Sequence, residues 1–224
     1  MDERAVVIFD LDGTLVRGDS FSRFLTELLA QRPLRGVLSS LLAVPLLVSP
    51  RRRRRAANLW LWAATAGISD ARYQQLVESY VDRHYHPHSG RPIESALQRL
   101  REHRRAGHTV VIVTGSEQRL AQQICHRLDF PDIDVVGTTL IRHRGALTLS
   151  AHCYGPAKLA RLRASGYTGP IAYVYTDSSA DLPLLTAATA RVLVEPPPWH
   201  RRRIHATLGD CPVLEKPLTP TPSR

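Results

Sequence analysis

The sequence predicts an α/β fold: a doubly wound, mostly parallel sheet with a helical cap inserted after the first strand. Three observations predict it. Short β-branched runs end in Gly- or Asp-bearing loops at 5–10, 108–116 and 171–176, the form of buried strands. Amphipathic segments of helical period separate the later runs, so strand and helix alternate as in a parallel sheet covered on both faces. Residues 18–90 break that rhythm, being helical in pattern with no good strand.

Each element follows from local chemistry. AVVIFD at 5–10 runs into the acidic loop DLDGT. SALQRLREHRRAG, at 95–107, reads as a helix stopped by Gly107 and leads into the strand HTVVIVTGS. A helix at 117–128, a strand in IDVVGTTL and a hairpin around Gly145 follow. A helix at 156–165, the strand 171–176, a short helix at 180–189 and a last strand, Val192 to Val194, complete the sheet. Residues 1–17 and 91–200 are thus assigned to the sheet-bearing core and 18–90 to the cap. The basic, Pro-rich stretch 201–224 reads as a disordered tail.

Composition narrows the classes. With 43% hydrophobic and 22% charged residues, 224 residues can bury a core, which excludes a disordered chain. Three cysteines without CxxC spacing exclude a disulfide framework or zinc finger. The net charge of +10 admits nucleic acid, an anionic membrane surface or a phosphorylated substrate as partner. The start, MDERAVVIFDLDG, lacks the basic and apolar regions of a secretory signal, so a cytoplasmic catalytic part is expected.

Within the cap, residues 36–50 carry no charge, Arg51 to Arg55 follow, and AANLWLWAATAG is apolar again with Trp60 and Trp62. Each apolar arm is shorter than the roughly 20 residues of a spanning helix. Two such arms around a basic turn suit a hairpin, 36–66, lying in a membrane interface. The alternative is a buried helical pair inside the cap.

Four segments carry chemistry. Asp10 and Asp12 follow a buried strand, where a doubly wound sheet binds ligands. Two carboxylates and a Gly-Thr turn there suit Mg²⁺, which takes few carboxylates plus water and phosphate oxygens; a plain strand-to-loop turn is the alternative. Thr114-Gly115-Ser116 offers a hydroxyl and backbone N–H groups that can hold a phosphate. Lys158 opens a helix in a chain whose only other lysine is Lys216, which suggests a need for a compact ammonium charge. Asp177 and Asp181, in TDSSAD, follow another strand; a helix-capping role for Asp177 is the alternative.

In this order the four segments resemble the haloacid dehalogenase superfamily of phosphohydrolases, whose core is Rossmann-like. FDLDGT at 9–14 is the most specific, with VIVTGS at 111–116, Lys158 and YTDSSADLPLL at 175–185 in support. The resemblance implies Asp10 as nucleophile forming an aspartyl-phosphate and Asp12 as general acid, then base. It implies phosphate binding by Thr114, Gly115 and Lys158. Mg²⁺ would be held by Asp10, the Asp12 backbone carbonyl and Asp177, with Asp181 and Ser178 in support. Thr176 stands where the family often has Gly.

The helical insertion is similar to that of the phosphoserine phosphatase branch. GDSFSRFL, the Leu-rich segment with its basic turn and LWLWAATAG resemble the bacterial phosphatidylglycerophosphatase C type. That resemblance implies a lipid phosphate as substrate, phosphatidylglycerophosphate becoming phosphatidylglycerol, at the cytoplasmic face of the inner membrane. A phosphatase of a soluble metabolite such as phosphoserine is the rival, and a non-catalytic membrane-binding protein the third reading. His84, His86 and His88 surround Pro87 without matching ligands, so no metal site is assigned there. No nucleic acid is expected, since the arginine clusters at 51–55 and 201–203 lack interleaved aromatics.

Overall fold

The computed structural model describes residues 5–49, 52–86 and 88–214. The chain begins with β1 (Val6–Phe9), whose four residues are all buried. Then come α1 (Ser20–Ala30), α2 (Pro33–Ala43), a 3₁₀ turn (Val44–Val48), α3 (Arg53–Thr65), α4 (Asp70–His84) and α5 (Glu94–Arg105). The sheet resumes with β2 (Thr109–Glu117), α6 (Gln118–Arg127) and the hairpin β3 (Asp134–His143) and β4 (Ala146–Ala151). It closes with α7 (Pro156–Ala164), β5 (Ile171–Thr176), a 3₁₀ turn (Ser179–Asp181), α8 (Leu182–Ala187), β6 (Ala188–Val194), α9 (Pro198–Leu208) and β7 (Val213–Leu214).

The strands lie in the order β4-β3-β2-β1-β5-β6-β7, parallel except for the β3–β4 hairpin. β1 pairs with β2 on one side and β5 on the other, Phe9 standing opposite both Ile112 and Tyr175. The strand order therefore reverses at β1, and the crevice beyond the carboxyl ends of such strands is where doubly wound sheets bind ligands.

Alternation along β1 feeds two cores. Val7 and Phe9 face α1, α4, α5 and α6 through Phe24, Tyr80, Leu97 and Ile124. Val6 and Ile8 face α7, α8 and α9 through Leu162, Leu185 and Ile204. The inserted helices share the first core with the sheet, so α1 and α4 are fixed against the strands that carry the site.

Two expectations need correction. The stretch from 201 is not disordered up to 214: α9 buries Ile204, and Cys211 is buried beside it. Leu193 N–H donates to Pro212 O at 2.8 Å and Glu195 N–H to Leu214 O at 3.0 Å, so β7 adds a strand beyond β6. Proline and arginine content hid this, because a few spaced apolar residues, Ile204, Leu208, Cys211 and Val213, carry the packing. Residues 215–224, with Lys216, lie outside the described residues.

The two arms of 36–66 also differ. α3 is mostly a packed helix, burying Ala56, Leu61, Ala64 and Thr65, and it lies against β4, where Asn58 accepts the Leu149 N–H at 2.9 Å. The α2 arm is the exposed one. Arg53 to Arg55 open α3 rather than forming a separate turn, and Arg51 lies outside the described residues. No helix among the described residues is long and apolar enough to cross a membrane. All three cysteines are free and buried.

Candidate active site

Lys158 is the electrostatic centre of the crevice. It stands in the first turn of α7, where the helix dipole disfavours a cation. Two carboxylates hold it there: Nζ donates to Asp10 Oδ1 and to Asp181 Oδ2, each at 2.9 Å. Burial alone would pull the ammonium pKa down, but the charges of Asp10 and Asp181 outweigh it and push it up. Asp10 moves the same way for the opposite reason: burial raises its pKa well above the usual carboxylate range, and Asp181 and Asp177 add to that against Lys158.

Asp181 is nearly fully buried at the end of a 3₁₀ turn. Its Oδ2 also accepts the Thr176 hydroxyl at 2.7 Å. Thr176 thus replaces the family's usual Gly with a group that fixes Asp181. Oδ1 lies 2.9 Å from Lys158 Nζ, yet it is a buried oxygen with no hydrogen-bond partner.

Asp177 comes next along the loop. It does not cap the turn: Ser178 does, its Oγ accepting the Ala180 N–H. Thr14 Oγ1 accepts the Asp177 N–H at 3.1 Å and holds the loop against the DLDGT turn. Gly13 makes that approach possible. A Cβ there would sit 2.3 Å from Asp177 Oδ2, and the backbone is in the left-handed region at φ +79°. Burial, first of all, raises the Asp177 pKa to about 6, with Asp181 adding to it.

Asp12 lies across the crevice, beside α1. The Ser20 N–H donates to its Oδ1 at 2.9 Å, and the Ser20 and Ser116 hydroxyls bond each other at 2.6 Å. Burial pushes the Asp12 carboxyl up to about 7, against the Ser20 hydrogen bond. That is a favourable value for a group that must both give and take a proton near neutrality.

The TGS segment is a bulge in β2. Val113 opposes Val136 and Glu117 opposes Thr138, so Thr114, Gly115 and Ser116 face Gly137 alone. Gly137 is needed, since a Cβ there would meet Gln118 Cα at 2.9 Å and Ser116 O at 3.0 Å. Gly115 and Ser116 line the crevice. Thr114 is fully buried beneath them, its Oγ1 accepting the Ser116 N–H at 3.0 Å. Glu117 caps α6 through the N–H groups of Arg119 and Leu120 and lies near the Tyr73 hydroxyl of α4.

These groups surround a cavity of about 570 Å³ lined by Asp10, Asp12, Lys158, Asp177, Ser178 and Asp181. Sequence reasoning missed its outer wall. Asp19, Phe21 and Ser22 line it from the cap side and His152 and Tyr154 from the other, the latter two rings stacked at 5.7 Å. GDSFSRFL, which holds Asp19, Phe21 and Ser22, stood out only as a likeness to one family branch, and nothing local marks His152 or Tyr154, because only the fold brings the β4 exit opposite α1.

Among the described residues, no three His, Cys, Asp or Glu side chains form a ready metal cage. Mg²⁺ needs none, since it keeps several waters and takes one or two carboxylates plus phosphate oxygens. Asp10 and Asp177, both in the cavity and both with raised pKa values, are a donor set of that kind. His84 instead contacts Glu27 at 3.1 Å.

Known proteins resemble the chain throughout its length. A Mycobacterium tuberculosis protein named "Probable phosphatase Rv3661" is 26% identical over 230 residues, covering 94% of this chain and 75% of that one. Two solved structures share the fold. A Bordetella pertussis Tohama I protein of unknown function has a TM-score of 0.73 at 22% identity, covering 95% of this chain and 99% of its own. A substrate-bound phosphoserine phosphatase has a TM-score of 0.60 at 16% identity, covering 97% and 96%. These relatives lend no support to the narrower resemblance to phosphatidylglycerophosphatase C. A family match running from residue 7 to 186 includes every acid just described and Lys158: the chain belongs to the haloacid dehalogenase-like hydrolases.

Proposed function

We propose that the chain is a Mg²⁺-dependent phosphomonoesterase that works through an aspartyl-phosphate on Asp10. The observation that carries this reading is Lys158 clamped between Asp10 and Asp181, with Asp12 poised near neutrality on the opposite wall. Lys158 takes Asp10 Oδ1 and leaves Oδ2 to attack phosphorus in line. The bond from phosphorus to the leaving oxygen breaks, and the Asp12 proton passes to that oxygen. Asp12, now ionised, takes a proton from water. That water attacks the aspartyl-phosphate, the phosphorus–Asp10 bond breaks, and inorganic phosphate leaves. Gly115 and Ser116 bind the phosphoryl oxygens, Thr114 holds that loop from below, and Lys158 offsets the charge that develops. Asp10, the Asp12 carbonyl and Asp177 would hold Mg²⁺, which offsets phosphoryl charge when bound; Asp181 and Ser178 support that loop.

A pH dependence follows. Above about 7 Asp12 lacks the proton it must give, so the first chemical step slows as pH rises. Below about 6 Asp177 becomes protonated, so apparent Mg²⁺ affinity falls, and the raised pKa of Asp10 acts in the same direction. Because the cation favours the ionised acids, raising Mg²⁺ shifts the acid limb to lower pH and leaves the basic limb in place. Rate profiles at two Mg²⁺ concentrations check this; an acid limb that ignores Mg²⁺ contradicts it.

For substrate we propose a lipid phosphomonoester, phosphatidylglycerophosphate in particular. A second, apolar groove of about 470 Å³ runs along α1 and α2, lined by Leu25, Leu29, Pro33, Val37 and Trp60. Ser22 borders both this groove and the phosphate cavity. A lipid phosphate could set its headgroup on Asp10 and an acyl chain along the groove, each buried CH₂ contributing about 0.8 kcal/mol. The phosphoserine phosphatase among the structural relatives favours a second reading, a soluble phosphate ester. Phosphate release from phosphatidylglycerophosphate in mixed micelles, compared with phosphoserine in buffer, separates them. The lipid is expected to be turned over faster, and faster phosphoserine turnover overturns the lipid reading.

A further inference from the structure

We infer that the α2 arm is a docking face for an anionic bilayer. The inference extends the lipid-phosphate reading, on which its purpose rests, but it stands on other residues.

α2 is inside out. Leu34, Val37, Leu38, Leu41 and Leu42 recur at the spacing of one helix face, which in a soluble protein turns to the core. Here that face is exposed, by 54% to 73%, while the residues buried are Ser39 and Ala43. Val44 and Val48 extend the patch along the following 3₁₀ turn, and Trp62 of α3 is half exposed. Such a contiguous apolar surface marks contact with another apolar phase.

Charge identifies the phase. No acidic residue occurs between Glu27 and Asp70, whereas Arg32, Arg35 and Arg51 to Arg55 fall there. Arg52 and Arg55 are exposed and form no ion pair among the described residues, while Arg54, also exposed, donates to the Leu149 and Ser150 carbonyls of β4 at 3.0 Å each. α3 opens on its arginines without an acidic residue in the first turn and without a side-chain cap. Cations at a helix N-terminus are unfavourable by themselves, and an anion beside them offsets both helix dipole and guanidinium charge. Leucines and valines bordered by arginines that face no carboxylate match acyl chains beneath anionic headgroups.

The test is co-sedimentation of the full chain with vesicles of phosphatidylcholine alone or mixed equally with phosphatidylglycerol. Binding is expected to be at least about tenfold stronger to the mixed vesicles and to weaken with salt. Leu38→Asp with Leu42→Asp should lower it more than about tenfold at unchanged melting temperature, both side chains being exposed. Arg52→Gln with Arg55→Gln should lower it about fivefold per arginine, and serves alone if the leucine pair fails to fold. The inference is overturned if the chain ignores mixed vesicles or if neither pair changes binding. It is also overturned if the leucine pair instead dissolves a dimer of a chain that does not bind lipid. Binding is read without turnover, so a chain that docks but hydrolyses no p-nitrophenyl phosphate would defeat the phosphatase reading and leave the docking face standing.

Discussion

Asp10→Asn is expected to lower turnover of any phosphomonoester by roughly 10⁴-fold or more, the scale of losing a nucleophile. The amide fills the same space and still accepts a hydrogen bond from Lys158, but it cannot form the acyl-phosphate bond. The fold should survive. Burial lifts the Asp10 pKa, with Asp181 and Asp177 assisting against Lys158, so the folded state holds the proton more tightly than the unfolded chain does. Stability from this group is therefore present at low pH and lost as pH rises through its folded pKa. An uncharged Asn removes that loss, and thermal unfolding at neutral pH should show a melting temperature at or above wild type. A markedly lower one would mean that Asp10 is chiefly structural.

Lys158→Ala should damage both activity and stability. It strands two buried carboxylates, Asp10 and Asp181, that now share one ammonium at 2.9 Å each. Removing one partner from a buried ion pair costs about 3–5 kcal/mol, because the charge left behind is uncompensated. Denaturant unfolding near neutral pH should show a loss of that size, shrinking as pH falls and Asp10, whose pKa burial raises, takes up its proton. Activity should fall by roughly 10³-fold from lost transition-state stabilisation. Lys158→Arg should restore little, since a planar guanidinium does not fit between two carboxylates placed for a compact ammonium. A variant as stable as wild type would contradict the clamp.

The sheet and the inner site were legible in the sequence because both rest on short-range patterns. A β-branched run that ends in DLDGT, TGS or TDSSAD places its acids and hydroxyls at a strand's carboxyl end, and strand pairing brings those ends together. What was not legible depends on contacts between distant segments. Thr176 looked like a mere departure from Gly, and only the turn that returns Asp181 to it gives its hydroxyl a task. Ser20 reaches Asp12 because α1 starts beside the first loop. The apolar arms of 36–66 read alike, yet β4 covers α3 and leaves α2 bare, a distinction that hydropathy does not carry. Ile204 and Leu208 seat α9 on the second core and His200 ties it to Ser179, although composition had marked the chain from 201 as disordered.

The most direct test of the central claim is mass spectrometry of the chain acid-quenched during turnover of p-nitrophenyl phosphate with Mg²⁺. The peptide carrying Asp10 should gain one phosphoryl group in wild type, more of it when Asp12→Asn slows attack by water, and none in Asp10→Asn. Turnover without any phosphorylated peptide, or with the group on another residue, would contradict the account.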